Sequence, residues 1–401
     1  MSAMSIKPYL PFCRVRFTKQ SVSGTGDMAL IIAEPDERYR PVCHFCGSPA
    51  QGVHDQVRRP LRDLNLGAAN VWINCRYRKI YCPRCRCIRV EDLDFFNQYQ
   101  RVTKRLALYI HELCKILTVS EVAAHLNLNW KRVKNVDKYF LEESFGTTDY
   151  SDLRILAVDE MAIHKGHTYM TVVLDYQTGR VVWLGKGRSV ETLQAFFTGM
   201  SQEQKESLEA IAMNMWDPYI KAVRENVPHV KIVFDLFHVV HAFNKVIDKV
   251  RIEEFKKAKT PDQGIYKGTK YLLLANSKNI KSSEARQHLR QLLEINETIS
   301  TVMILKDSLK RIWDYRKRGW AQKRLDEWCV LARTVSHKPV QKFADMLERH
   351  AYGILNHCHY PIHTSKLESV NNKIKVIKRK SYGFHDDRYF MLKVKQAFSS
   401  H

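Results

Sequence analysis

The sequence predicts a multidomain α+β protein, on three observations. Two Cys-x-x-Cys pairs frame β-prone sequence within the first hundred residues. A short helix, a tight turn and a basic helix follow. From about residue 149, short apolar strands alternate with amphipathic helices, as in an α/β core. At ~100–200 residues per domain, 401 residues hold two or three such domains. The expected boundaries are 1–100 for the cysteine module and 101–148 for the helical hairpin. The core begins over 149–250, an all-α insertion spans 251–350, and 351–401 returns to the core with a helix and a basic tail.

Lys and Arg number 65 against 42 Asp and Glu, a net charge of +23. A surplus of that size on a folded protein points to a polyanion, nucleic acid first. Hydrophobic residues make up 45%, enough for packed cores, which excludes wholesale disorder. No apolar run approaches the ~18 residues of a membrane span. The first residues lack a basic start followed by a long apolar stretch. A soluble cytoplasmic protein without a membrane partner is expected.

Ten Cys in a long chain without a secretory signature argue against a disulfide framework. Four stand in a pattern: Cys43-His-Phe-Cys46, then Cys82-Pro-Arg-Cys85. Each pair makes a tight knuckle whose amides face the sulfurs, and two knuckles complete a tetrahedral thiolate site for Zn2+. The gap exceeds the usual spacing and fits a zinc ribbon with a strand hairpin between the knuckles. Val71–Ile73 and Tyr77–Tyr81 read as strands. Arg76, Arg78, Lys79, Arg84 and Arg86 fall in a stretch without acids, a basic rim suited to DNA. A purely structural zinc site is the plainer reading, and both can hold together. Cys87, His44 and His54 are alternative ligands.

Leu106, Ile110, Leu113 and Leu117 recur at helical steps. Thr118-Val-Ser-Glu121 has capping-box form and starts a short helix. Asn127-Leu-Asn129 is a turn, and Trp130 begins a basic helix. This is the layout of a helix-turn-helix, whose second helix enters the major groove. Lys131, Arg132, Lys134 and Asn135 are its candidate DNA contacts, with Val133 and Val136 facing inward.

The core opens with strands at 154–159, 169–174 and 180–184, the second and third joined by a turn at Asp175–Gly179. An amphipathic helix over 189–208 follows. A strand at 210–213, a helix from Asp217 with Pro at its first turn, a strand at 230–234 and a helix over 237–256 complete the run. Three strands, helix, strand, helix, strand, helix is the ribonuclease H-like order, a mixed five-stranded sheet flanked by helices. There, an acid ending the first strand lies beside the residue ending the fourth, here Asp159 and Asn214. A third acid comes from a late helix. From Ser365 to Lys380, Leu367, Val370, Ile374 and Ile377 form one stripe, while Glu368, Asn371, Asn372 and Lys375 share the other face. Converging carboxylates suit two Mg2+ (or Mn2+) ions, which drive phosphodiester cleavage and strand transfer. The insertion carries a Trp/Arg-dense stretch, Trp313–Trp320. His357, Cys358, His359 and His363 crowd one loop and read as no metal site.

In these motifs the chain resembles bacterial insertion-sequence transposases of the ISL-three family. The matching stretches are the Cys pairs, the helix-turn-helix, Val158-Asp159-Glu160 with Lys165-Gly-His-Thr-Tyr169, Ala212-Met-Asn-Met-Trp216 with Pro218-Tyr219, and Val233-Phe-Asp235-Leu-Phe-His238. Leu367-Glu368 with Asn371-Asn372-Lys-Ile-Lys375, Lys378-Arg379 and Tyr382-Gly383-Phe384 complete the set. The resemblance implies a DDE transposase that binds the terminal inverted repeats of its own element, cuts there, and joins the ends to target DNA. It implies a homodimer holding paired ends, in a bacterial cytoplasm at the nucleoid. Asp159 then matches the first catalytic Asp and Glu368 the final Glu. Asn214 stands where the family has its second Asp, an expected impairment. Asp235 and His238 match a separate Asp-x-x-His element, supporting or alternative to that position. Asn371, Asn372, Lys375, Lys378 and Arg379 form a phosphate-contacting rim. Competing readings are a non-catalytic transposase-derived DNA-binding regulator and a structure-selective nuclease.

Overall fold

The computed structural model describes residues 10–97, 100–164, 168–259, 262–275, 279–362, 365–381 and 384–399. Lys165-Gly-His167, His363 and Tyr382-Gly383 lie outside them. The chain forms two compact units, Met1–Gly146 and Thr147–His401.

In the first unit, strands β1 (Val15–Val22), β2 (Met28–Pro35), β3 (Gly52–Arg62) and β4 (Asn70–Cys82) pair in the order β1-β2-β4-β3. Strand β5 (Cys87–Val90) pairs with the end of β4. The β3–β4 pair is the hairpin expected between the knuckles. The two strands expected at 71–73 and 77–81 are one continuous strand. Alternation explains this: Val71, Ile73, Cys75 and Tyr77 are all buried, and the polar Asn74 and Arg76 fall on the outward face. β1 and β2, not foreseen, supply Val15, Ile31 and Ala33 to the same core, so the module is larger than a bare ribbon.

Helices α1 (Lys104–Ile116), α2 (Val119–Leu126) and α3 (Trp130–Phe145) complete this unit. Buried Asp63, just past β3, joins sheet to helices. It accepts from the Thr103 hydroxyl at 2.6 Å and from Arg105 Nε at 2.8 Å. Thr103 in turn caps α1.

The second unit contains β6 (Ile155–His164), β7 (Thr168–Asp175), β8 (Val181–Lys186), β9 (Ala210–Met213) and β10 (Lys231–Phe234), in the order β10-β9-β6-β7-β8. β6, β7 and β8 form an antiparallel meander; β6, β9 and β10 run parallel. Helices α4 (Val190–Thr198), α5 (Gln202–Glu206), α6 (Asp217–Asn226) and α7 (Leu236–Lys257) alternate with the later strands. The single helix expected over 189–208 is two. Gly199 closes the first, and Ser201 with Gln204 makes a reciprocal capping box that opens the second.

Helices cover both faces of this sheet. Val158, Ile211, Met213, Ile232 and Phe234 pack in one core with α4, α6, α7 and the insertion. Ala157, Val172, Ala212 and Val233 pack on the other face with Leu367, Val370 and Ile374 of the Ser365–Lys380 helix and Phe390 of the Asp387–Ala397 helix. The insertion is helical as expected, with its longest helices at 283–295, 297–310, 318–334 and 338–349. It docks on α7 through Phe243, Trp328 and Phe343. Of the other tryptophans flagged there, Trp313 stacks on His357 and Trp320 is exposed.

A short helix, Ala351–Ile354, returns the chain to β10. A Cβ on Gly353 would lie 2.5 Å from the Phe234 ring. Gly353→Ala should therefore overpack this junction and cost ~1–3 kcal/mol, read as a lowered thermal midpoint of the full chain.

Candidate active site and metal centre

In the first unit the two knuckles bring four sulfurs together. Cys43, Cys46, Cys82 and Cys85 present Sγ atoms that all lie within 4.8 Å of one another. Cys46 and Cys82 are 3.4 Å apart, Cys43 and Cys85 4.0 Å. A tetrahedral zinc at ~2.3 Å from each sulfur separates them by roughly 3.8 Å, so the geometry suits zinc. Gly47, at φ +71°, makes the left-handed turn of the first knuckle. Among the described residues no other His/Cys/Asp/Glu group clusters at metal-ligand spacing. His357 bonds backbone carbonyls of Ile354 and Tyr315, a structural role.

The basic rim divides. Arg84 and Arg86 are exposed on the second knuckle. Arg89 stacks at 5.1 Å over the exposed Phe45 ring of the first. Arg76 and Lys79 lie near Glu34 and Asp55, at 3.7 and 3.5 Å. Arg78 is committed to the buried Glu91 at 2.6 Å, and this pair holds β4 beside the 87–91 segment. The helix-turn-helix matches its expectation in detail. Thr118 and Glu121 form the reciprocal box at 2.6 and 3.3 Å. Asn127 ends α2 in the left-handed conformation, and Asn129 caps α3. Val133 and Val136 are buried; Lys131 and Asn135 are exposed, and Arg132 and Lys134 half-buried.

In the second unit, β6 pairs with β9 up to Ala157–Ala212, and β10 with β9 up to Phe234–Met213. Extending the register sets Asp159, Asn214 and Asp235 in one row, where β9 and β10 end while β6 runs on to His164. Asp159 accepts from Asn371 Nδ2 at 2.7 Å. Asn371 lies one turn after Glu368, which is exposed, and one turn before Lys375, whose charge acts on Asp159. Asn372 and Arg379 are exposed, Lys378 half-buried. Asp235 is buried and caps α7, accepting from Phe237 N at 3.0 Å. Burial raises the Asp159 carboxyl to about 6, and the Asp235 charge adds to the shift.

Sequence reasoning left Glu160 without a role, yet it belongs to this cluster. Asn214 Nδ2 donates to Glu160 Oε2 at 2.6 Å. Strand alternation turns Glu160 away from Asp159, but β9 stops at Met213 and Asn214 leaves the ladder to reach it. Burial and the Asp159 charge raise the Glu160 pKa. Burial lowers that of His238, against the pull of Asp235 and Glu160. The amide oxygens of Asn214 and Asn371 are both buried without a hydrogen-bond partner. Each orphaned amide oxygen sits on a residue bonded to a carboxylate, and hard oxygens of this kind fit a divalent cation such as Mg2+.

Comparisons with known proteins place this arrangement. Residues 156–394 match the DDE family profile described as a transposase, so the second unit is a transposase domain. Residues 91–141 match the helix-turn-helix domain of transposase family ISL3. The chain is 38% identical, over 89% of its length and 88% of the relative, to the transposase for insertion sequence element IS1001 of Bordetella parapertussis. It is 22% identical, over 90% of its length and 86% of the relative, to the transposase for insertion sequence element IS1557 of Mycobacterium tuberculosis. The chain belongs to the ISL3 family of transposases. No helix of the described residues is long and apolar enough to cross a membrane.

Two outcomes follow from this geometry. Cys82→Ser should abolish zinc retention by the purified chain while Cys87→Ser leaves its zinc content unchanged, measured by elemental analysis. The raised Asp159 pKa means the folded state holds its proton from about pH 4 to 6 better than the unfolded chain, so its burial costs stability above pH 6. Asp159→Asn should therefore raise stability by ~2 kcal/mol at pH 7–8, with Asn371 flipping to offer its unpartnered oxygen. Denaturant titrations should show that gain shrinking as pH falls from about 6 to 4 and absent below.

Proposed function

We propose that this protein cuts and joins DNA at the ends of its own insertion element, with a ribonuclease H-like core doing the chemistry. The strand order β10-β9-β6-β7-β8, with only β7 running opposite to the other four, supports that fold. The observation that carries the function is the half-buried carboxylate of Asp159, level with the ends of β9 and β10 and held by Asn371 of the Glu368 helix. Asp159 and Glu368 take the first and last acidic positions, and residue 214 takes the second, with Asp235 and His238 in support. Asn371 orients Asp159, and the nearby Lys375 charge favours its ionised form at neutral pH. A divalent metal, held by Asp159, Glu368 and the orphaned amide oxygens, supplies charge stabilisation for phosphodiester hydrolysis and transfer to a 3′-hydroxyl.

The zinc knuckles, through Arg84 and Arg86, and α3, through Lys131, Arg132, Lys134 and Asn135, grip the terminal repeats. Arg76 and Lys79 flank that grip. Asn372, Lys375, Lys378 and Arg379 line the strand being cut. The working form is a homodimer holding two ends, in the bacterial cytoplasm at the nucleoid.

Asn214 is neutral where the chemistry calls for a carboxylate, and this favours a second reading, a DNA-binding regulator that does not cut. Asn214→Asp should raise Mg2+-dependent cleavage of element-end DNA by at least ten-fold, since a lost charged ligand costs more than ~1.4 kcal/mol. Equal cleavage by both forms removes the assignment of residue 214. If both stay inert on paired ends while binding them, the regulator stands. Asp235→Asn in the same assay tests the supporting carboxylate: loss of cleavage with retained binding moves the second acidic position to 235.

A further inference from the structure

The acid cluster poses an electrostatic problem. A DNA phosphate brought beside Asp159, Glu160 and Asp235 meets carboxylates, and like charges at such range repel by several kcal/mol in a partly dry site. One cation nearby is built unlike the rest. Arg188 follows β8, and its guanidinium lies over two aromatic rings, 3.9 Å from the centroid of Tyr169 and 4.6 Å from that of Trp216. Its backbone is fixed on every side. Trp216 Nε1 donates to the Arg188 carbonyl at 3.0 Å. Gly187 before it takes φ +94°, donates to Tyr169 O at 2.8 Å and accepts from the Thr171 hydroxyl at 2.8 Å. Ser189 after it caps α4.

An Arg stacked on aromatic rings keeps its N–H donors in the guanidinium plane, directed away from the rings. The partner at that edge is not fully engaged. Nη1 stands 4.0 Å from Glu160 Oε1, too far for a hydrogen bond, while Glu160 Oε2 is taken by Asn214 at 2.6 Å. About a third of the side chain stays open to solvent.

We propose that Arg188 is a phosphate-binding residue: its clamped guanidinium receives a non-bridging oxygen pair of the DNA phosphodiester seated at the Asp159–Glu160 cluster. The clamp fixes the fork before DNA arrives, so little side-chain entropy is lost on binding. A bidentate contact of this kind gives orientation as well as charge, which lysine cannot reproduce. The assignment rests on reading the cluster as the phosphodiester site.

The test is binding of the full chain to a fluorescently labelled mixed-sequence duplex, with Ca2+ present, across a range of salt. Arg188→Ala should weaken binding about ten-fold or more and flatten the slope of log affinity against log salt by about 0.9, one phosphate contact. Arg188→Lys should keep the slope and recover only part of the affinity. Thermal midpoints of both variants should stay near the parent. An unchanged slope in Arg188→Ala, or a lowered midpoint as the only effect, overturns the proposal and leaves Arg188 a structural partner of Glu160. Asp159→Asn is measured alongside. If it loses the Ca2+-dependent part of binding while Arg188→Ala keeps its slope, only the Arg188 assignment falls. If no form shows Ca2+-dependent binding, the site reading falls with it.

Discussion

The parallel pairing of β6, β9 and β10 is the constraint on which the rest of the second unit depends. It ends β9 and β10 at one level beside the middle of β6, which runs on to His164, so residues far apart in the chain share one row. Asp159 and Glu160 still pair with β7 there but lie past the last β9 pair, and burial raises the pKa of both. Packing on both faces maintains the arrangement. Phe234 locks β10 against Gly353 on one side, and Leu367, Val370 and Ile374 seat the Glu368 helix on the other.

Much of this was legible in the sequence, because it is local. The Cys-x-x-Cys knuckles, the Thr118–Glu121 box and the Asn127–Asn129 turn are short motifs whose chemistry is complete within a few residues. The strand order of the core could be read from apolar runs and turns. What could not be read is non-local or masked by composition. Polar Asn74 and Arg76 hide the continuity of β4, since only outward alternation makes them welcome in a strand. The split between α4 and α5 did carry a signal, Ser201-x-x-Gln204 after Gly199, just past the apolar stretch of α4. The role of Glu160 depends on where β9 stops, which no window around Glu160 contains. Arg188 likewise depends on Tyr169 and Trp216 from two other elements.

The charge surplus sorts into two physical kinds. In the first unit, exposed arginines at the knuckles and polar residues on α3 sit on elements with their own tight local closure. Other basic residues there are structural: Arg78 is bound to Glu91, and Arg105 to Asp63. In the second unit, the cations near the acids are few and individually placed. Asn214 and Asn371 do part of the work that cations do elsewhere, binding carboxylates through amide N–H groups while leaving their oxygens unspent.

The bond from Asn371 to Asp159 spans 212 residues of chain. Its consequence is one of timing. During synthesis the first acidic residue leaves the ribosome well before the helix that completes its surroundings. At ~5–20 residues per second, that interval is roughly 10–40 seconds. The cysteine knuckles and α3 are made before Asp159, so the first unit has left the ribosome while the surroundings of Asp159 are still unfinished. The helical insertion lies within that span and lengthens the interval by its own length.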